Sequence, residues 1–131
     1  MNDLIFHHIG IACEKIRDEV PYYKLLGYVE QGQKFEDPKQ GICGLFMDHG
    51  GTLIELLEPL SKDSPIHSYL RRGIRMYHQG FLCEDVIDTS LTLVEKGAII
   101  VSPPKPSIAF GNRQVSFLML PNRMLIELIG H

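Results

Sequence analysis

Tyr77-His78-Gln79-Gly80-Phe81-Leu82-Cys83-Glu84 decides how this chain is read, because nearly the same words stand seventy positions earlier as His8-Ile9-Gly10-Ile11-Ala12-Cys13-Glu14. His, Gly, Cys and Glu recur at the same spacings. Working outward, Gly27 matches Gly97 and Gly41 matches Gly111 at that offset. Leu53-Ile54-Glu55-Leu56 then returns as Leu125-Ile126-Glu127-Leu128, after a two-residue insertion between Gly111 and Phe117. Such self-similarity marks two copies of one supersecondary unit. Each copy opens on a His and closes on a Glu.

Hydrophobic alternation supplies the elements of the copy. Ile9, Ile11 and Cys13 point to one side of a strand spanning 5–13, and His8, Gly10 and Ala12 to the other. Asp18 is expected to cap a helix that accepts Pro21 in its first turn and stops at Gly27. A strand over 28–35, a turn over 36–40, and a hairpin about Asp48-His49-Gly50-Gly51 complete the first module as strand, helix, three strands. Ser64-Pro65 opens a short helix ending at Gly73. The second module repeats the order: a strand over 75–83, a helix over 86–96 stopped by Gly97, and strands over 98–101, 114–120 and 123–129. Ser102-Pro103-Pro104-Lys105-Pro106 must form a loop or a sheet edge. The expected fold class is α+β: two tandem βαβββ modules forming a curved mixed sheet with helices on its convex face and a concave metal-binding cleft. Residues 1–131 make a single domain, with module 1 at about 1–60, a linker and short helix at 61–73, and module 2 at about 74–131.

Composition narrows the function. With 44% hydrophobic and 22% charged residues, a net charge of -3 and pI near 6.0, the chain has no electrostatic footprint for nucleic acid or an anionic membrane. No apolar run reaches the ~20 residues that span a bilayer. Met1-Asn2-Asp3 begins acidic, without a visible signal peptide, so a cytoplasmic location is expected. Cys13, Cys43 and Cys83 form neither an even set nor a CxxC pair, in keeping with reduced thiols in a core.

Strand parity sets His8 and His78 opposite the apolar residues that face the helices, and Glu55 and Glu127 likewise. An ionised Glu inside Leu-Ile-Glu-Leu is costly to bury unpaired, and here it happens twice. Two imidazoles and two carboxylates suit one divalent transition metal such as Zn, Ni, Co, Mn or Fe(II), with two coordination positions left for water or substrate. His7, His49, His67 and His131 carry no such pattern.

His8-Ile9-Gly10-Ile11-Ala12, Tyr23 to Gly27, Ile54 to Leu60, Asp63-Ser64-Pro65-Ile66, Tyr77-His78 and Leu125 to Leu128 together resemble the vicinal-oxygen-chelate superfamily, which includes glyoxalases, bleomycin resistance proteins and dioxygenases. The resemblance covers the whole chain and runs closest to glyoxalase I (lactoylglutathione lyase) and methylmalonyl-CoA epimerase. It implies metal ligands at His8, Glu55, His78 and Glu127. It further implies a metal-dependent lyase or isomerase that moves a proton next to a carbonyl of a thiol adduct or thioester, with Glu127 and then Glu55 as the proton-moving groups. A small-molecule binding or resistance protein, or a dioxygenase, is the alternative.

Two positions depart from those patterns. Gly44 stands where the epimerase pattern has a further Glu, and Ala12 where the bacterial glyoxalase I pattern has an Arg for glutathione. Substrate anions then fall to Arg71, Arg72, Arg75 and Arg113. By analogy the chain is expected to be a homodimer acting on a small molecule.

Overall fold

The computed structural model describes residues 3–131. Met1 and Asn2, part of the acidic start read from the sequence, lie outside the described residues. The architecture is α+β and consists of two βαβββ repeats. In the first, β1 (Ile5–Ala12), α1 (Ile16–Leu25), β2 (Val29–Asp37), β3 (Ile42–His49) and β4 (Thr52–Pro59) are followed by the short helix α2 (Ile66–Arg71). In the second, β5 (Met76–Cys83), α3 (Val86–Glu95), β6 (Ile99–Ser107), a 3-10 turn (Ile108–Phe110), β7 (Arg113–Met119) and β8 (Leu125–Gly130) follow in the same order. Contacts divide the described residues into His8–Tyr77 and a second unit of His78–His131 with residues 3–7.

Strand order in the first repeat is β2-β3-β4-β1, with β1 parallel to β4 and the other pairs antiparallel. The second has the matching order β6-β7-β8-β5, with β5 parallel to β8. Alternation sends Ile11 of β1 with Cys13 just beyond it, Leu45 and Met47 of β3, and Ile54 and Leu56 of β4 to one face, where Ile16 of α1 packs on them. The second repeat does the same with Cys83, Leu118, Ile126 and Leu128 beneath Val86 and Leu93 of α3. Two residues near the start of the chain join this second core: Leu4 packs on it, and Phe6 sits edge-on to Phe81 at 5.7 Å.

Gly27 and Gly97 end α1 and α3 with φ of 99° and 104°, backbone that a Cβ would strain. Gly50 and Gly51 close the β3–β4 hairpin, both at positive φ, as the two-residue turn requires.

The structure corrects several local expectations. Asp18 does not cap α1, which begins at Ile16 with Lys15 at its N-cap and no side-chain cap bond from it. The Glu58 carboxylate on β4 instead accepts the Ile16 N–H at 2.8 Å. Pro21 consequently lies inside the helix rather than in its first turn. Strand β2 runs on to Asp37, so the expected turn starts later, with Gln40 N–H donating to Asp37 Oδ1 at 3.2 Å. The strand expected over 98–101 runs on to Ser107, and the proline-rich stretch from Ser102 takes the edge alternative of the two expected: it is part of β6, the end strand of its repeat, which bulges twice against β7 to accommodate residues lacking an N–H. Among the described residues no helix is long and apolar enough to cross a membrane.

Candidate metal centre

Each repeat builds the same three-strand arrangement on the face away from its helix. In the first, Gly10 of β1 lies across from Glu55 of β4, and Phe46 of β3 lies across from Glu55 on the other side. The second sets Gly80 of β5 and Phe117 of β7 about Glu127 of β8 in the same registers. His8 and Gly10, two apart on one strand, share a face, as do His78 and Gly80. His8 Nε2 approaches Glu55 Oε1 to 3.1 Å, and His78 Nε2 approaches Glu127 Oε1 to 3.4 Å. All four residues are buried, at 0%, 4%, 3% and 3% exposure in sequence order.

A carboxylate withdrawn from water needs positive charge or donors around it, and a neutral imidazole offers one N–H at most. Each imidazole nitrogen and its carboxylate oxygen can also both act as lone-pair donors to one cation, the behaviour of His and Glu toward divalent transition metals.

Sequence reasoning overlooked Phe46 and Phe117. His8 meets the Phe46 ring with centroids 5.6 Å apart and planes at 88°, and His78 meets Phe117 at 5.3 Å and 90°. The signal was available, since Phe46 and Phe117 precede Glu55 and Glu127 by nearly the same interval within the repeat. Phe35 stacks on Phe46 at 6.1 Å and lies directly over Gly44, where an added Cβ would meet its Cζ at 2.3 Å. Position 44 thus holds an aromatic ring in place of a side chain of its own.

The four arginines fall in separate places. Arg75 is paired with Glu19 of α1 and lines a cavity of about 850 Å³ with Cys13 and Tyr23, on the helix side of its repeat and away from the face of His8 and Glu55. Arg72 donates from Nε to Ser68 O at 3.4 Å and covers the Tyr69 ring at 5.0 Å. Arg113 donates from Nε to Phe110 O at 3.0 Å. Arg71 lines a cavity of about 660 Å³ with Lys15, Lys62 and His67, and with Glu14 as its one acidic neighbour there.

The sequence model of the glyoxalase/bleomycin resistance protein/dioxygenase superfamily matches residues 7–129. The chain belongs to that superfamily. Within it, this protein is similar to the ethylmalonyl-CoA/methylmalonyl-CoA epimerase of Cereibacter sphaeroides, 28% identical over 114 residues that cover 86% of this chain and 85% of the relative. Among solved structures, a hypothetical protein from Bacillus halodurans C-125 matches with a TM-score of 0.84 at 30% identity, over 98% of this chain and 94% of that one. A substituted form of Streptomyces coelicolor methylmalonyl-CoA epimerase in complex with 2-nitronate-propionyl-CoA matches with a TM-score of 0.81 at 25% identity, over 98% of each chain.

Proposed function

We propose that this superfamily member is a metal-dependent enzyme of the epimerase or glyoxalase type, moving the proton beside the carbonyl of a small thioester. The observation that carries the reading is the repeated, buried His–Glu pair held across equivalent strands. His8, Glu55, His78 and Glu127 are the His and acidic side chains among the described residues that could hold a metal ion. Together they would hold one divalent cation of the Zn, Ni, Co, Mn or Fe class. When bound, the cation supplies electrostatic stabilisation of negative charge developing on a substrate oxygen. The similarity to epimerases, one of them in complex with a CoA ester analogue, supports an acyl-CoA substrate over a glutathione adduct.

In this reading Glu127 takes the proton from the carbon beside the carbonyl, and Glu55 is the second carboxylate, able to return one. Two such groups are what inversion at a carbon requires. Gly44 supplies no third, because the Phe35 ring fills the space above it. His8 and His78 stay in place as the fixed members of each pair. Arg71, beside Lys15 and Lys62, is the anchor of choice for a substrate phosphate. Arg72, Arg75 and Arg113 keep their protein partners. A homodimeric, cytoplasmic enzyme completes the proposal, and light scattering on the purified chain tests the dimer.

The deciding experiment is metal analysis of protein purified without chelator, beside Glu127→Gln and His78→Ala, followed by exchange of the α-proton of methylmalonyl-CoA in deuterated solvent. About one metal per chain, lost in the variants, with exchange in the wild type alone, is expected. No metal uptake from added Ni, Co, Zn or Mn, together with no exchange, would sink the proposal. The fold would then be that of a small-molecule binding module.

A further inference from the structure

We infer that Phe46 and Phe117 are positioning residues, each holding the imidazole of its own repeat at the angle that aims Nε2 toward the partner carboxylate. The inference rests on the metal-site reading for its purpose but on separate geometry for its substance. In each repeat the phenylalanine occupies the strand next to the glutamate, in register with it (Phe46 with Glu55, Phe117 with Glu127). In each, the ring lies perpendicular to the imidazole within 2° of a right angle, at 5.6 and 5.3 Å.

Perpendicular contacts bring the positive edge of one ring to the negative face of another, so the arrangement selects an orientation as well as filling space. An imidazole on a strand has its second torsion broadly free, and a ring fixed against it removes that freedom. Phe46 is in turn fixed by the stacked Phe35 over Gly44. The duplication argues against coincidence. Much of the repeat's sequence has diverged, yet His, Gly, Glu and Phe keep one geometry in both copies.

The test compares Phe46→Leu and Phe117→Leu, which keep apolar volume without a ring face, with Phe46→Tyr and Phe117→Tyr, which keep the ring. Both phenylalanines are only partly buried, so the added hydroxyl has a route to water. Affinity for Co(II) is read by competition with a chromophoric chelator, and ring 15N–1H spectra of the histidines are recorded on metal-free protein. The expected result is Co(II) binding weakened about tenfold in each Leu variant, the scale seen when groups that orient metal ligands are removed, with the Tyr variants binding like the wild type. In the spectra, the single ring signal set of His8 should split or broaden in Phe46→Leu alone, and that of His78 in Phe117→Leu alone. Unchanged ring spectra in the Leu variants would overturn the inference, as would Tyr variants as weak as Leu variants. If the wild type took up no metal, the metal-site reading would fall, and the ring spectra would still decide whether the phenylalanines orient the histidines. Should Phe46→Leu fail to fold, Phe46→Met against Phe46→Tyr makes the same comparison.

Discussion

Glu58 Oε1 accepts the backbone N–H of Ile16 at 2.8 Å, joining the end of β4 to the first turn of α1 across 42 residues of sequence. The carboxylate does the work usually given to a local Ser, Thr, Asp or Asn, and Lys34 stands 3.6 Å from the same oxygen. Replacing Glu58 by Ala should destabilise the chain by about 1–2 kcal/mol, since a buried helix-end donor loses its acceptor. Glu58→Gln, which keeps a carbonyl oxygen, should lose less. Urea unfolding of the two variants checks the order.

Helix α3 has the local solution. Asp85 Oδ1 accepts from Asp88 N at 2.9 Å at an exposed site. Asp85→Ala should cost about 1 kcal/mol. Because the two caps belong to different helices and share no partner, the Glu58→Ala and Asp85→Ala losses should add in the double variant. A shortfall well beyond measurement error would show that the helix ends are coupled.

Gly44→Ala should be costly for a reason unrelated to backbone freedom. Its Cβ would lie 2.3 Å from Phe35 Cζ and 2.8 Å from both Cε atoms, so the ring must leave its seat over the strand. A loss of about 1–3 kcal/mol is expected, as for other overpacked sites. Phe35→Leu should recover part of it in the double variant, as thermal melting would show.

The three cysteines should resist alkylation in the folded chain. All are buried, and burial above all, with Glu19 and Glu58 adding, pushes the Cys13 thiol from 9.0 up to about 12. Burial likewise raises Cys43 and Cys83. The thiolate is the reactive form, so iodoacetamide at pH 8 should label none of them until urea unfolds the protein. The linked stability runs the same way. A thiol raised on folding stays protonated in the native chain while the unfolded chain ionises near pH 9, so its contribution is intact below pH 9 and lost progressively as pH rises toward 12. A melting temperature that rose over that interval would contradict the assignment.

Much of this was legible because strand alternation and helix stops are local. Gly27, Gly97 and the Gly50-Gly51 turn announce themselves, and the parity of His8 against Ile9 and Ile11 places the imidazole on the face away from α1. What the sequence withheld was non-local. Glu58 as a cap for Ile16, Glu19 as the partner of Arg75, and Phe35 over Gly44 all depend on which elements pack together. Register was equally hidden: Gly10 lies across from Glu55 only because β1 and β4 are parallel neighbours, which no short window states. The prolines of β6 left two readings open, a loop or a sheet edge, and the edge is what forms. They rule out a central strand, and the end position leaves room for the strand that forms.

Those prolines and the makeup of β2 have a further effect. Strands β2 and β6 each stand at an end of their own repeat's strand order, where unpaired backbone groups would invite a strand from another molecule. On β6, Pro103, Pro104 and Pro106 have no N–H to offer such a visitor. On β2, Glu30, Lys34 and Glu36 crowd the margin with charge, and Gly32 at φ 74° breaks its straight line. The two copies thus guard these strands by different chemistry, prolines in one and charge with a kink in the other, and each device discourages the addition of a further strand.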